Sequence, residues 1–74
     1  MSITFDSSAL DRATYDVNGT LILKFTSGDT YSYSNVPEGI FEGLRGSDSA
    51  GKYFRNNILN KYDGNKIENL IYPD

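Results

Sequence analysis

The 74-residue sequence contains no cysteine, no histidine and no tryptophan. Without cysteine, neither disulfide bonds nor thiolate metal ligands can supplement the core of so short a chain. Without histidine, the chain lacks the commonest general base and the commonest metal ligand of proteins. The acidic residues are spaced in a way that offers no catalytic pair. We therefore expect a protein that is not an enzyme and that uses neither a metal nor a cofactor.

The sequence also lacks a long apolar run and a basic N-terminal stretch, so it predicts neither a membrane span nor a signal peptide. The expected location is the cytoplasm. A chain of 74 residues can form one domain with a small core. We expect this domain to span residues 8–67, with residues 1–7 and 68–74 as tails of uncertain order.

Charge is distributed unevenly along the chain, although the net charge is only −3. Residues 1–44 carry six acidic and two basic side chains, a net charge of −4, whereas residues 45–66 carry five basic and two acidic side chains, a net charge of +3. A local basic surface can bind phosphate groups even on an acidic protein. The alternative interpretation is an ordinary mixed-charge surface that keeps the protein soluble.

Three segments in the first half of the chain alternate apolar and polar residues, as half-buried strands do. They are residues 13–17, 20–25 and 30–34. Asn18-Gly19 separates the first two segments and predicts a tight turn in which both residues have positive φ. Ser27-Gly28-Asp29 separates the second segment from the third. Together these signals predict a three-stranded antiparallel meander within residues 12–34.

The periodicity becomes helical at Pro37, whose fixed φ suits the start of a helix. A short first helix is predicted to end near Gly46. A second helix is predicted to begin after a capping serine, either Ser47 or Ser49. In it, residues 54, 58 and 62 form an apolar stripe that is expected to face the sheet or the first helix.

Asp63-Gly64-Asn65 is expected to end the second helix, and Lys66–Tyr72 is either a last strand or a coil. The predicted fold is therefore α+β, a three-stranded antiparallel meander followed by two short helices packed on one face.

The segment from Gly46 to Lys52 has the spacing of a phosphate-binding loop, Gly-x4-Gly-Lys. Nucleotide hydrolysis is not expected, because Tyr53 stands where a serine or threonine hydroxyl would bind magnesium and because a helix precedes the segment. Ser49, Gly51 and Lys52 can still accept an anion at the start of the second helix, where free amides and the helix dipole favour negative charge. Gly51 can also serve a close approach of the backbone to another element.

Six tyrosines in so short a chain are candidates for a partly exposed aromatic surface, because aromatic faces stack on bases and rigid tyrosines bind proteins well. For Tyr31 and Tyr33, this interpretation and that of ordinary core residues carry equal weight. Tyr53 is expected at the surface beside Lys52 and Arg55, since the next residue takes the buried face of the helix. The candidate binding residues are Tyr31, Tyr33, Ser49, Gly51, Lys52, Tyr53 and Arg55.

Several short patterns occur in a fixed order along the chain. They are a Gly-Thr-Leu-x-Leu-x-Phe-x-x-Gly strand pattern from Gly19 to Gly28, then Tyr31-Ser32-Tyr33, Val36-Pro37, Ser49-Ala50-Gly51-Lys52-Tyr53-Phe54, Asn56-Asn57-Ile58 and Lys61-Tyr62. Together they resemble the KTSC family, small domains found at the C-terminus of some lysyl-tRNA synthetases and as free-standing bacterial or phage proteins. The resemblance covers about Ser8 to Ile67. It implies a non-catalytic binding module, with RNA as a conjectured ligand.

Two functional hypotheses follow. The first is a module that binds RNA or another phosphate-bearing ligand through the candidate residues, and the basic segment of residues 45–66 favours it. The second is a protein encoded by a phage or mobile element that binds and modulates a host protein. The acidic balance of the chain favours the second. So do Leu59 and Asp63, which stand where the family often has arginine and proline.

Overall fold

The computed structural model describes residues 1–67. Its elements, in chain order, are β1 (Ser2–Thr4), β2 (Leu10–Tyr15), β3 (Leu21–Phe25), β4 (Thr30–Tyr33), α1 (Glu38–Arg45), α2 (Ala50–Asn57) and β5 (Gly64–Ile67). The strands form one antiparallel sheet in the order β1-β2-β3-β4-β5. Both helices lie in the connection between β4 and β5. The α+β class and the pair of helices are confirmed.

The sheet has five strands, whereas the sequence predicted three. The predicted meander forms its centre as β2, β3 and β4. Residues 1–7 were expected to be a tail, but Ser2–Thr4 pairs with β2 and places Ile3 opposite Ala13. A three-residue strand is too short to show an alternating pattern, and its backbone pairing with β2 decides its conformation.

The last strand lies in the region where strand and coil remained open alternatives. Gly64–Ile67 is a strand paired with β4, although three of its four residues are exposed and carry no strand pattern. Because β5 begins at Gly64, the segment Asp63-Gly64-Asn65 leads directly into the sheet. The rest of the predicted segment, and the predicted tail of residues 68–74, lie outside the described residues.

The turn between β2 and β3 is one residue longer than predicted. The Asp16 amide bonds the Thr20 carbonyl at 3.1 Å, and the Gly19 amide bonds the Asp16 carbonyl at 3.1 Å. Of the loop residues, Gly19 alone has positive φ, at 85°. The Asp16 carboxylate favours this form by accepting bonds from the amides of Asn18 at 2.9 Å and Thr20 at 3.0 Å. Val17, predicted within the strand, is therefore fully exposed at the tip.

The second helix ends earlier than predicted. Its start is capped by Ser49, whose Oγ accepts a bond from the Lys52 amide at 3.3 Å, so Ser49 and not Ser47 is the cap. The helix ends at Asn57, about one turn before the predicted end. Asn60 adopts a φ of 63°, a left-handed conformation that asparagine tolerates better than most residues, and this turns the chain back toward the sheet.

The core lies between both helices and one face of the sheet, which confirms that the helices pack on one face. Its fully buried large side chains are Leu10, Leu21, Leu23, Val36, Phe41, Leu44 and Ile58. Tyr15 stacks on Phe41 with ring centroids 5.1 Å apart, and its hydroxyl donates a 2.6 Å bond to the Val36 carbonyl. Phe54 was expected to be buried with Ile58, but its ring is only partly buried at the edge of this core. Within residues 1–67, neither helix has the length and apolar character needed to cross a membrane.

Candidate functional site

An open groove of about 330 Å³ lies between the β3–β4 hairpin and the C-terminal part of α2. We call it the aromatic groove. The residues that line it come from two strands, the turn between them, the helix α2 and the turn that follows. They are Phe25, Ser27, Asp29, Tyr31, Tyr33, Phe54 and Leu59.

Strand geometry brings the aromatic side chains of the hairpin together. Tyr31 and Tyr33 are two residues apart on β4, so their side chains leave the same face of the sheet. Their rings are stacked, with centroids 6.3 Å apart and planes 24° apart. Phe25, at the end of β3, meets Tyr31 edge-on at 5.8 Å and 89°. The hairpin therefore provides three rings on one side of the groove.

The helix α2 provides the opposite wall. The Phe54 ring meets Phe25 edge-on at 5.1 Å and Tyr33 at 6.0 Å. Leu59, which is 40% exposed, lines the groove after the chain has left the helix. The early end of α2 therefore places an apolar side chain at this position in the groove.

Among residues 1–67, the charged residue that lines the groove is Asp29. The Phe25 amide bonds the Asp29 carbonyl at 2.8 Å, and a φ of 100° at Gly28 allows this tight hairpin turn. Lys66 lies opposite Tyr31 in the β4–β5 register, and its Nζ is 3.5 Å from Asp29 Oδ1. Both charged side chains are about half exposed, so solvent screens this ion pair and it contributes little to stability.

Four of the tyrosine hydroxyls within residues 1–67 fall into two groups. Those of Tyr15 and Tyr53 donate hydrogen bonds to backbone carbonyls, at 2.6 and 3.0 Å. Among residues 1–67, the hydroxyls of Tyr31 and Tyr33 form no hydrogen bond, although Tyr33 is only 4% exposed. Burial raises the pKa of Tyr33 above its ordinary value of 10.0, and the neighbouring Tyr31 raises that pKa further. The Tyr33 hydroxyl therefore keeps its proton at neutral pH.

The remaining candidate residues lie on other sides of α2. Ser49, Lys52 and Tyr53 border a second depression of about 390 Å³, with Asp48 beside them. The Ser49 hydroxyl already accepts the capping bond. Tyr53 packs against α1, where its ring lies over Gly43, and burial, followed by the nearby Tyr62 hydroxyl, raises the pKa of Tyr53 above 10.0.

Gly51 is buried on the side of α2 that faces the segment between β1 and β2. A Cβ atom at Gly51 would lie 2.9 Å from the Cβ of Ala9 and 3.7 Å from an Arg55 guanidinium nitrogen. The close backbone approach predicted for Gly51 is therefore present. Arg55 flanks this contact and is exposed, and Lys52, the residue after Gly51, is also exposed and borders the second depression.

The residues predicted as one surface thus form separate groups. Tyr31 and Tyr33 lie together in the aromatic groove, whereas Ser49, Lys52 and Tyr53 border the second depression. The basic segment is divided as well, since Arg45 pairs with Glu42 at 2.6 Å within α1. Sequence reasoning did not identify Phe25, Asp29, Phe54, Leu59 and Lys66 as site residues. The position of Lys66 depends on β5, which the sequence did not specify.

A five-stranded antiparallel sheet with two helices on one face defines this protein as a small α+β domain with an open aromatic groove. The family model described as the KTSC domain matches residues 6–62, and the chain belongs to this family. It is similar to the crystal structure of a KTSC domain protein from Yersinia pestis, with a TM-score of 0.86 and 29% identity over 90% of this chain and 96% of that one. A curated relative from Tsukamurella paurometabola, named only "Protein", is 41% identical over 49 residues, 65% of this chain and 73% of the relative.

Proposed function

We propose that this chain is a non-catalytic binding module and that its aromatic groove holds a side chain presented by a partner protein. The observation that carries the proposal is the convergence of four rings, from Phe25, Tyr31, Tyr33 and Phe54, on one open groove. Aromatic anchors that fill such pockets carry most of the energy of protein interfaces. The volume of about 330 Å³ falls in the range of roughly 300–1,000 Å³ that is typical of ligand pockets.

The charges around the groove favour a protein over a polyanion. Within residues 1–67, the charged residue that lines it is acidic, Asp29, and although Lys66 lies beside this carboxylate, an acidic lining residue disfavours phosphate groups. Lys52, which was expected to neutralise phosphates beside the tyrosines, borders the other depression. Leu59 adds an apolar wall. We therefore expect a partner that binds here to supply apolar or cationic groups.

A pull-down from bacterial lysate tests this proposal. The full-length protein, a Tyr31→Ala variant and a Lys52→Ala variant are each used as bait, with and without nuclease. We expect the wild type and the Lys52→Ala variant to retain the same protein after nuclease treatment, and the Tyr31→Ala variant to lose it. Nuclease-resistant capture that survives Tyr31→Ala would place the partner elsewhere and contradict the proposal.

A second candidate function is the binding of single-stranded RNA. It is favoured by one observation. Tyr31 and Tyr33 form a stacked pair, and Lys66 is the residue opposite Tyr31 on the neighbouring strand β5. Such a pair could stack on bases while the ammonium group contacts a phosphate. A titration with single-stranded RNA at two salt concentrations distinguishes this function from the first.

A further inference from the structure

We propose that the group held in the aromatic groove is the guanidinium of an arginine in the partner polypeptide, stacked on the Tyr31 ring and paired with the Asp29 carboxylate. This inference rests on the proposed function, because it names the side chain that the groove receives. It goes further by specifying the charge and the shape of that side chain.

The position of Lys66 supports a cation at this end of the groove. Its Nζ lies 3.5 Å from Asp29 Oδ1, and its strand position is directly opposite Tyr31. The protein's own ammonium thus already lies beside the carboxylate. Because both side chains are about half exposed, the ion pair is weak, and a better-fitting cation can displace Lys66 from Asp29.

The aromatic lining suits a flat cation. The rings of Tyr31 and Tyr33 are only 24° from parallel, so a flat group stacked on the Tyr31 ring lies nearly parallel to both rings. A guanidinium is planar, stacks on aromatic faces and is attracted by their negative potential. It is also less strongly hydrated than an ammonium, so it loses less on entering a groove with apolar walls.

The polar groups of the groove match the donors of arginine. A guanidinium carries five N–H donors in a fixed fork and can bind a carboxylate with two of them. Asp29 supplies the carboxylate. The hydroxyl oxygens of Tyr31 and Tyr33, which form no hydrogen bond within residues 1–67, supply further acceptors. A lysine has a single point charge and cannot form the paired contact, which makes arginine the better match.

The net negative charge of the protein also favours a cationic partner. The net charge is −3, and the half of the sequence that contributes Asp29 and both groove tyrosines is its more acidic part. A negative potential attracts basic partners over long distances and accelerates their association. A partner segment with an arginine beside an apolar residue would place the second residue against Phe54 and Leu59.

The test is an NMR titration of the full-length, ¹⁵N-labelled protein with N-acetyl-arginine amide at low ionic strength. N-acetyl-citrulline amide serves as the neutral probe of the same shape, and N-acetyl-lysine amide as the cation of different shape. We expect saturable shifts of Asp29, Tyr31 and Tyr33 with the arginine probe, and binding several-fold weaker with the citrulline probe, because the charged pair with the half-exposed Asp29 is lost. Equal binding of both probes, shifts confined to other surfaces, or no saturable shift would overturn the inference.

Two substitutions should change the affinity for the arginine probe in opposite directions. Asp29→Asn should weaken binding of the arginine probe several-fold, while the backbone bond of the turn is kept. Lys66→Gln should strengthen it several-fold, because it removes the competing cation. Lys52→Gln, beside the second depression, is the matched control and should change nothing. Weaker or unchanged binding after Lys66→Gln would contradict the inference, since a competitor must act in the other direction.

Pull-downs with the Tyr31→Ala and Asp29→Asn variants separate this inference from the proposed function. A partner captured from lysate that is lost with Tyr31→Ala but retained with Asp29→Asn would show a groove that binds a protein without an arginine contact. In that case the arginine inference fails and the proposed function stands. Retention with both variants overturns both. A preserved spectrum of each variant, recorded before the titration, shows that the fold is intact.

Discussion

The Tyr53 hydroxyl donates a 3.0 Å hydrogen bond to the backbone carbonyl of Ile40. This bond joins α2 to α1. The Tyr53 ring lies over Gly43, and any side chain at position 43 would collide with the ring. Tyr53 therefore contributes to helix packing. The neighbouring Phe54, expected to be the buried residue of the pair, instead lines the aromatic groove.

Because of the Tyr53–Ile40 bond, we expect a Tyr53→Phe variant to be less stable than the wild type. Removing the hydroxyl should lower the free energy of unfolding by about 0.5–1.5 kcal/mol, the usual net contribution of such a bond. Urea denaturation measures this change. Tyr31→Phe is the matched control, because the Tyr31 hydroxyl forms no hydrogen bond within residues 1–67, and it should change stability by less than about 0.5 kcal/mol. Equal effects of the two substitutions would mean that the bond to Ile40 contributes nothing.

Two glycines at the same helical position should respond oppositely to alanine. Gly39 is the second residue of α1 and Gly51 the second residue of α2. A Cβ at Gly39 meets nothing within 4 Å, whereas one at Gly51 would lie 2.9 Å from the Cβ of Ala9. Gly39→Ala should therefore stabilise the protein by up to about 1 kcal/mol through the unfolded state. Gly51→Ala should destabilise it, because overpacking costs about 1–3 kcal/mol.

Thermal and urea unfolding of the two variants check this prediction. Adding Ala9→Gly to Gly51→Ala removes the colliding methyl group and should recover part of the loss, a coupling that a double-mutant cycle detects. A stabilising effect of Gly51→Ala alone would show that the segment around Ala9 moves aside without cost.

The elements that the sequence predicted correctly are those with local signals. The central strands alternate in polarity, Pro37 precedes α1, and Ser49 caps α2. The outer strands have no such signal. Ser2–Thr4 is too short for a pattern, and Gly64–Ile67 is mostly polar. Both are strands because β2 and β4 offer them backbone partners, a long-range effect that a local pattern does not contain.

The same distinction applies to the candidate site. The pairing of Tyr31 with Tyr33 could be predicted, because two residues on alternate positions of one strand share a face. The proximity of Asp29 to Lys66 could not, because it depends on how β5 aligns with β4. The separation of Lys52 from the tyrosines likewise depends on how α2 is rotated about its axis.

Two phenylalanines should differ in their contribution to stability. Phe41 is fully buried, so Phe41→Ala should lower the free energy of unfolding by about 3–5 kcal/mol. Phe54 is only partly buried and lines the open groove, so the loss from Phe54→Ala should be smaller, while binding in the groove should be reduced. Urea denaturation gives the stabilities and the arginine-probe titration gives the binding. A larger loss at Phe54 than at Phe41 would contradict this placement.

The raised pKa of Tyr33 predicts lower stability at alkaline pH. Burial keeps the folded-state pKa above the ordinary value of 10.0, so at higher pH the unfolded chain releases its proton first. The unfolded state binds fewer protons there, and the free energy of unfolding falls as pH rises above about 10. Urea denaturation at several pH values should show this fall. It should be smaller in a Tyr33→Phe variant, and identical curves for the two proteins would contradict the prediction.

Salt dependence decides between the two candidate functions. Each phosphate contact with a single strand contributes about −0.7 to the slope of log affinity against log salt concentration. Lys66 is near the aromatic groove, whereas Lys52 borders the other depression, so we expect any binding of single-stranded RNA to be weak, with a slope no steeper than about −0.7. Titration at two salt concentrations measures it. A steeper slope that flattens with Lys52→Ala or Arg55→Ala, together with a loss of about 1–3 kcal/mol of stacking with Tyr31→Ala, would make RNA the better-supported ligand and reject the preference for a protein partner.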